Sequence, residues 1–113
     1  MSRFAKIGLQ VFTYTDSHTL VLANAASLVQ MNKATANTLT IPPHSDVPFP
    51  YGPDEATQLL VVSIGAGLTT LVPGTGVTIL SKDGNLVLTG QYSTASLIKT
   101  GLNTWLLAGD VTA

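Results

Sequence analysis

Two histidines each stand two positions from a carboxylate: Asp16 precedes His18, and Asp46 follows His44. A histidine beside a carboxylate can act as a general base or join a metal site. Both chemistries need further groups. No His-x-x-x-His spacing, no third ligand and no cysteine accompanies either pair, so no zinc site or thiolate nucleophile is spelled out. The plainer reading places both histidines in turns facing solvent. No Gly-x-Ser-x-Gly elbow marks a serine nucleophile. Gly65-Ala66-Gly67 and Gly74-Thr75-Gly76 lack the third glycine of a dinucleotide fingerprint and precede no helix that would hold a phosphate. They read as hairpin turns. Asp54 and Glu55 are adjacent and point apart in extended chain, which is not a glycosidase spacing. The expectation is a protein that is not an enzyme and has no cofactor and no metal.

The aromatic residues give no binding platform either. Phe12 and Tyr14 share one face of a strand, and Phe49 and Tyr51 share one side of a loop. Core or subunit contact is the expected role of these pairs. Trp105, between Thr104 and Leu106, is expected in the core.

Composition sharpens this. Only 10% of the 113 residues are charged while 45% are hydrophobic, against about 25% charged in ordinary soluble domains. Mean hydropathy is +0.37 at a mass of 11.7 kDa, which fits one domain, residues 1–113, with a modest core. Such a surface must be covered by Thr, Ser, Asn and Gly, or lie against other protein. Net charge is −1, and five scattered Lys and Arg make no basic face, so no nucleic-acid partner is expected. The longest nearly apolar run, Leu59 to Leu68, is about half a membrane-spanning length. No membrane partner, signal peptide or anchor is expected.

The periodicity is that of strands. Ile7, Leu9 and Val11, then Leu39 and Ile41, then Val77 and Ile79 alternate with other residues, as one face of a pleated strand requires. Strands are expected over 6–15, 19–22, 28–31, 37–41, 58–64, 68–72, 77–80, 85–89, 95–99 and 104–108. Asp83-Gly84 predicts a hairpin between Leu80 and Leu86, since both positions take positive φ cheaply. Gly101 predicts a second one. No internal repeat and no helix of normal length is legible. Residues 1–5 read as a possible N-terminal arm and 42–57 as a proline-rich loop, with five prolines between Pro42 and Pro53 holding it stiff. The fold class expected is all-β, a jelly-roll-like β-sandwich or barrel of about ten short, mostly antiparallel strands.

The ordered segments Thr19-Leu20-Val21-Leu22-Ala23-Asn24-Ala25, Leu28-Val29-Gln30-Met31-Asn32 and Ala36-Asn37-Thr38-Leu39-Thr40-Ile41-Pro42-Pro43 resemble a module of tailed-bacteriophage virion proteins. Ile64-Gly65-Ala66-Gly67, Gly76-Val77-Thr78-Ile79, Gly90-Gln91-Tyr92-Ser93, Ala95-Ser96-Leu97-Ile98-Lys99 and Asn103-Thr104-Trp105-Leu106-Leu107-Ala108-Gly109-Asp110 continue the likeness. It runs from Thr19 to Asp110. Pro53 to Thr57 departs from the pattern as an extra few residues, so no contacts carry over there. The module occurs in capsid decoration (cement) proteins and in tail-fibre-associated chains, and it resembles trimeric β-proteins. The resemblance implies a homotrimer bound to the major capsid protein on the outer surface of the virion, made in the bacterial cytoplasm. A module that starts so near Met1 is expected to be a freestanding decoration subunit. A tail-fibre or receptor-binding module is the alternative. Ser2, Arg3, Phe4 and Lys6 of the arm, with Phe49 and Tyr51 of the proline loop, are the candidate contacts to the capsid or between protomers. A frayed terminus and a merely solvated loop stay open as the plainer reading.

Overall fold

The computed structural model describes residues 8–113, which form eleven strands in two sheets. The first six strands wind as three stacked two-strand coils: β1 (Gln10–Tyr14) with β2 (His18–Thr19), β3 (Ser27–Met31) with β4 (Asn37–Ile41), and β5 (Gln58–Ser63) with β6 (Thr69–Pro73). Odd strands β1, β3 and β5 pair in parallel in one sheet, and β2, β4 and β6 pair in parallel in the other. The rest of the chain is β7 (Thr78–Ser81), β8 (Val87–Leu88), β9 (Thr94–Gly101), β10 (Thr104–Gly109) and β11 (Val111–Thr112). The six-stranded sheet runs β1-β3-β5-β9-β10-β7 and the five-stranded sheet β11-β8-β6-β4-β2.

The all-β expectation holds, and ten of the strands lie within a few residues of their expected places. The pairing direction corrects the reading of mostly antiparallel strands. Five pairings are parallel (β1–β3, β3–β5, β2–β4, β4–β6 and β7–β10) and four are antiparallel. The physical reason is that alternation reports which face of a strand is buried, not which way its neighbour runs. Each parallel crossover passes through a strand of the opposite sheet, which supplies the length such a connection needs.

A structural repeat also emerges that the sequence does not advertise. Leu28 pairs with Leu60 and Asn37 with Thr69, a constant offset of 32 residues across both strands of a coil. The connections stack as closely as the strands. The Gly67 N–H donates to the Lys33 carbonyl at 2.9 Å, and the Asn37 N–H to the Leu68 carbonyl at 3.0 Å. A Cβ at Gly65 would collide with the Lys33 main chain, and one at Gly67 with the Thr35 main chain. These glycines therefore serve coil stacking, not a hairpin, because β5 and β6 lie in different sheets. Gly74 to Gly76 likewise crosses between sheets, from β6 to β7. Asp83 and Gly84 do take positive φ, 58° and 70°, yet β7 and β8 diverge into different sheets. The expected hairpin there is a cross-sheet turn. The hairpin at Gly101 is present, with a register shift between Thr104 and Trp105.

Between the sheets lie Val29, Met31, Leu39, Ile41, Leu59, Val61, Leu71, Leu88, Leu97, Trp105 and Leu107. Buried polar groups other than the Ser81 hydroxyl are satisfied locally among the described residues: the Thr69 hydroxyl donates to Asn37 Oδ1 at 2.6 Å, and the Ser63 hydroxyl to the Gly67 carbonyl at 2.9 Å. The outer faces differ. On the five-stranded sheet, Thr38 pairs with Thr70 and Thr19 with Thr40, a hydroxyl-bearing surface. On the six-stranded sheet the outward positions mix aliphatic residues, such as Val11, Leu28, Leu60, Leu80, Ile98 and Leu106, with Thr, Ser and Gln. Lys99 is the one charged residue in those six strands, and it points inward.

Because Gly67 touches main chain rather than a flexible side chain, Gly67→Ala should lower the unfolding free energy by about 3 kcal/mol. Gly76→Ala, at positive φ with open space around it, should cost nearer ~1 kcal/mol. Denaturant titration of the two variants separates these outcomes. Equal losses would show that stacking at Gly67 is not a constraint.

Candidate functional site

Strand β9 directs Ala95, Leu97 and Lys99 inward by alternation. Two of these suit a core and the third does not, yet Lys99 is only 1% exposed. Its Nζ donates to the Phe49 carbonyl at 2.9 Å and lies 2.7 Å from His44 Nδ1. It also stands 5.3 Å from the centroid of the Tyr51 ring, within cation–π range. One proton can lie between Nζ and Nδ1, so an ammonium donor requires the imidazole to carry its proton on Nε2. No carboxylate neutralises the amine: the one ion pair among the described residues is Lys33–Asp16 at 3.3 Å. Burial alone pushes the Lys99 ammonium below its ordinary value near 10.5. In the Lys33–Asp16 pair, the Ser17 N–H and then Lys33 hold the exposed Asp16 carboxyl below its usual value.

A lysine with a depressed pKa beside an imidazole has the ingredients of an amine nucleophile. The geometry directs them elsewhere. The amine is spent on His44, the Phe49 carbonyl and the Tyr51 ring, and its burial leaves no approach for a reacting atom. What the arrangement does is tie the proline loop to β9. Further ties hold the same loop: the His44 N–H donates to Asn103 Oδ1 at 2.8 Å, and the Thr57 hydroxyl to the Pro50 carbonyl at 2.6 Å. Ring to ring, His44 meets Tyr51 edge-on at 5.6 Å.

Phe49 and Tyr51, expected on one side of the loop, are separated. Phe49 is a core residue with no exposed surface, packed edge-on to Trp105 at 5.5 Å. A contact role for Phe49 at the surface is corrected by that burial: its apolar ring is worth more in the core than in water. Tyr51 is 39% exposed and remains available. Ser2, Arg3, Phe4 and Lys6 lie outside the described residues.

Neither histidine simply faces solvent, which corrects the plain reading of both. His18 stacks on Tyr14 at 3.6 Å between centroids, and its Nε2 lies 3.2 Å from Asn24 Oδ1. Asn24 is fully buried, accepts from the Val21 N–H at 2.9 Å and donates to the Tyr14 hydroxyl at 3.0 Å. His18 thus belongs to a polar cluster that closes the first coil. Phe12 and Tyr14 stack at 6.3 Å, as their shared strand face requires. Among the described residues no three His, Cys, Asp or Glu side chains gather as metal ligands, and no helix is long and apolar enough to cross a membrane.

Two surface features complete the site. A groove of about 510 Å³ opens beside the loop, lined by Leu9, Ala25, Pro50, Ala56, Leu59 and Leu60, with Glu55 among its walls. Tyr92 is 69% exposed at a φ of 69°, a backbone state costing a non-glycine residue about 1–2 kcal/mol. Its N–H is held by the Ser63 carbonyl. Sequence reasoning passed over Lys99 and Tyr92. The signal for Lys99 was present: a lysine in phase with Ala95 and Leu97. Nothing in the sequence marked the Tyr92 backbone.

No protein-family model, curated protein or solved structure matches this chain.

Replacing Lys99 by Met tests the anchor through pH. The unfolded chain keeps its lysine proton up to about 10.5, while the folded chain releases it earlier. Between those points the unfolded state binds more protons, so wild-type stability rises with pH. Denaturant unfolding at pH 7 through 10.5 should show the wild type gaining on Lys99→Met as pH rises. A constant difference would mean that the amine keeps its ordinary pKa.

Proposed function

We propose that this chain is a structural subunit of a bacteriophage virion, a decoration protein that assembles as a homotrimer on the outer capsid surface and binds the major capsid protein. The observation that carries the reading is the apolar surface. Ten large hydrophobic side chains among the described residues are between 39% and 69% exposed, on a chain with 11 charged residues. Surfaces of that kind mark contact with other protein. The ordered resemblance from Thr19 to Asp110 names the kind of assembly. A trimer engages several shell subunits at once, so individually weak contacts gain by multivalency. Binding only the mature shell would stabilise it by mass action.

The pinned loop suits such contacts. Lys99, Asn103 and Thr57 fix its path before any partner arrives, so docking Tyr51 costs little further ordering.

A tail-fibre or receptor-binding role is supported by a different observation. Among the described residues, strands β1 and β2 are each an edge of their sheet, so the first coil presents two edges at one end of the stack. A coil of an upstream fibre segment would continue the sheets there.

Heads lacking this protein separate the two readings. Adding the purified chain should restore resistance of the heads to heat and chelator, with hundreds of copies bound. Tyr51→Ala should weaken head binding about tenfold while the variant stays folded at the binding temperature, its midpoint of unfolding lowered by loss of the ring beside the Lys99 amine. Heads that hold their DNA equally well without the chain, while particles fail to adsorb to the host, would reject the decoration reading in favour of the tail.

A further inference from the structure

The groove beside the proline loop lies where the described chain enters the sheet. Strands β1, β3 and β5 run parallel, so all three start at one end of the six-stranded sheet. Leu9, just before β1, lines the groove together with Ala25 and Ala26, just before β3, and Leu59 of β5. The proline loop contributes Pro50 and Ala56. These walls are held in place: the Ala26 N–H donates to the Gln58 carbonyl at 2.9 Å, and the Thr57 N–H and hydroxyl both donate to the Pro50 carbonyl. Alanine at positions 25, 26 and 56 leaves space that larger side chains would fill, about 510 Å³, a volume within the range that encloses a small molecule.

Two observations point to one occupant. The first is where the described chain begins. Leu9 forms part of the wall and is 51% exposed, so residues 1–7 join the described chain at the mouth of the groove. Phe4 stands five residues before Leu9, a reach of roughly 17 Å at most. The second is charge. Glu55 is the one charged residue among the described residues that line the space, and Asp54 precedes it. Residues 1–7 carry Arg3 and Lys6 and no acid, with Phe4 between the two bases.

We infer that residues 1–7 cover the groove of their own chain, with Phe4 as the apolar anchor and Arg3 and Lys6 beside Glu55 and Asp54. The ring is the larger part of the attraction, because a phenylalanine buries about 150–250 Å² and ion pairs at a surface add little. The pairs fix the direction in which the segment lies. Tethering at Leu9 gives the segment an effective concentration on the order of mM, above that of the same segment on a free copy at micromolar chain. The covered groove is then a second tie between the proline loop and the six-stranded sheet, alongside Lys99.

Cross-linking in the full chain tests this. The chain has no cysteine, so Ala5→Cys with Ala56→Cys supplies one pair of thiols. A short bismaleimide should join them within a single chain, the product running at one chain mass on a denaturing gel. Adding Phe4→Ser should cut the yield about tenfold, whereas a segment that only passes nearby would link equally well without the ring. Ala5→Cys with Thr40→Cys, which lies on the other sheet, should link poorly. In the chain without added cysteines, Phe4→Ser should raise the binding of the apolar dye anilinonaphthalene sulfonate about tenfold. Ala56→Trp, which fills the groove, should remove that gain. Products of two chain masses would give the groove to the segment of a neighbouring copy and overturn closure within one chain. An equal yield with and without the Phe4 ring, together with no gain in dye binding, overturns the anchor and leaves the groove to a foreign ligand.

Discussion

Main-chain contact between successive coils is the constraint on which this molecule rests. A two-strand coil buries one face of each strand and cannot close a core alone. Stacking supplies the missing neighbours, but only if the connections approach as closely as the strands they join. Gly65 and Gly67 permit that approach against Lys33 and Thr35. With the connections seated, the 32-residue offset holds through β3–β5 and β4–β6. Both sheets then present their inward residues to the same core. Antiparallel β9 and β10 complete the six-stranded sheet on the far side of β5. The coil stack thus determines where Lys99 and Trp105 fall, and through them the proline loop.

That loop shows how a buried polar group can organise a surface. Lysine amines are costly to bury without a counter-charge. Lys99 is tolerated because its amine meets an imidazole nitrogen, a main-chain carbonyl and an aromatic face. Each of those groups comes from the loop, so the amine's need for partners becomes the loop's position. Phe49 supplies the apolar half of the same anchor by packing on Trp105. Tyr51 is left half in water at a fixed place, which is what a contact residue requires.

Most strand positions were legible because alternation, β-branched residues and glycine breaks all act within a few residues. Pairing direction was not. The segment Gly65-Ala66-Gly67 has the composition of a tight turn, and the sequence does not say whether the chain folds back beside itself or crosses to another sheet. The answer lies in the main chain of Lys33 and Thr35, some thirty residues earlier. The repeat was hidden for a related reason. Coils share an inward pattern, while their connections differ: Tyr14 lies opposite Met31, an offset of 17 residues, but His18 lies opposite Leu39, an offset of 21, so the first two coils repeat at no constant spacing. For the site, Tyr51 could be chosen as an aromatic on a stiff loop, but its separation from Phe49 depends on Trp105, over fifty residues away. Lys99 could have been flagged from its phase with Leu97, because period-two patterning assigns a charged residue to a face as firmly as an apolar one.

The two outer faces carry this argument to the level of assembly. Threonine and the aliphatic β-formers satisfy the backbone of a strand about equally. What separates them is hydration: a hydroxyl keeps its hydrogen bonds in water, whereas an exposed leucine gains nothing there. A sheet made wholly for solvent would use threonine on both outer faces. This chain uses it at most outward positions of one sheet, and on the other sets one leucine, isoleucine or valine per strand among Thr, Ser and Gln, with a two-residue step where Leu60 faces Ser96. Among the described residues β1 and β2 stand at sheet edges, a position that isolated sheets usually blunt with charge or proline, and neither strand contains Lys, Arg, Asp, Glu or Pro. Apart from inward-pointing Lys99, the strands of both sheets carry no charged residue. Charge gathers instead in the connections, as in the Asp16–Lys33 pair beside the first coil, so that association through a sheet face would bury side chains without stripping water from an ion.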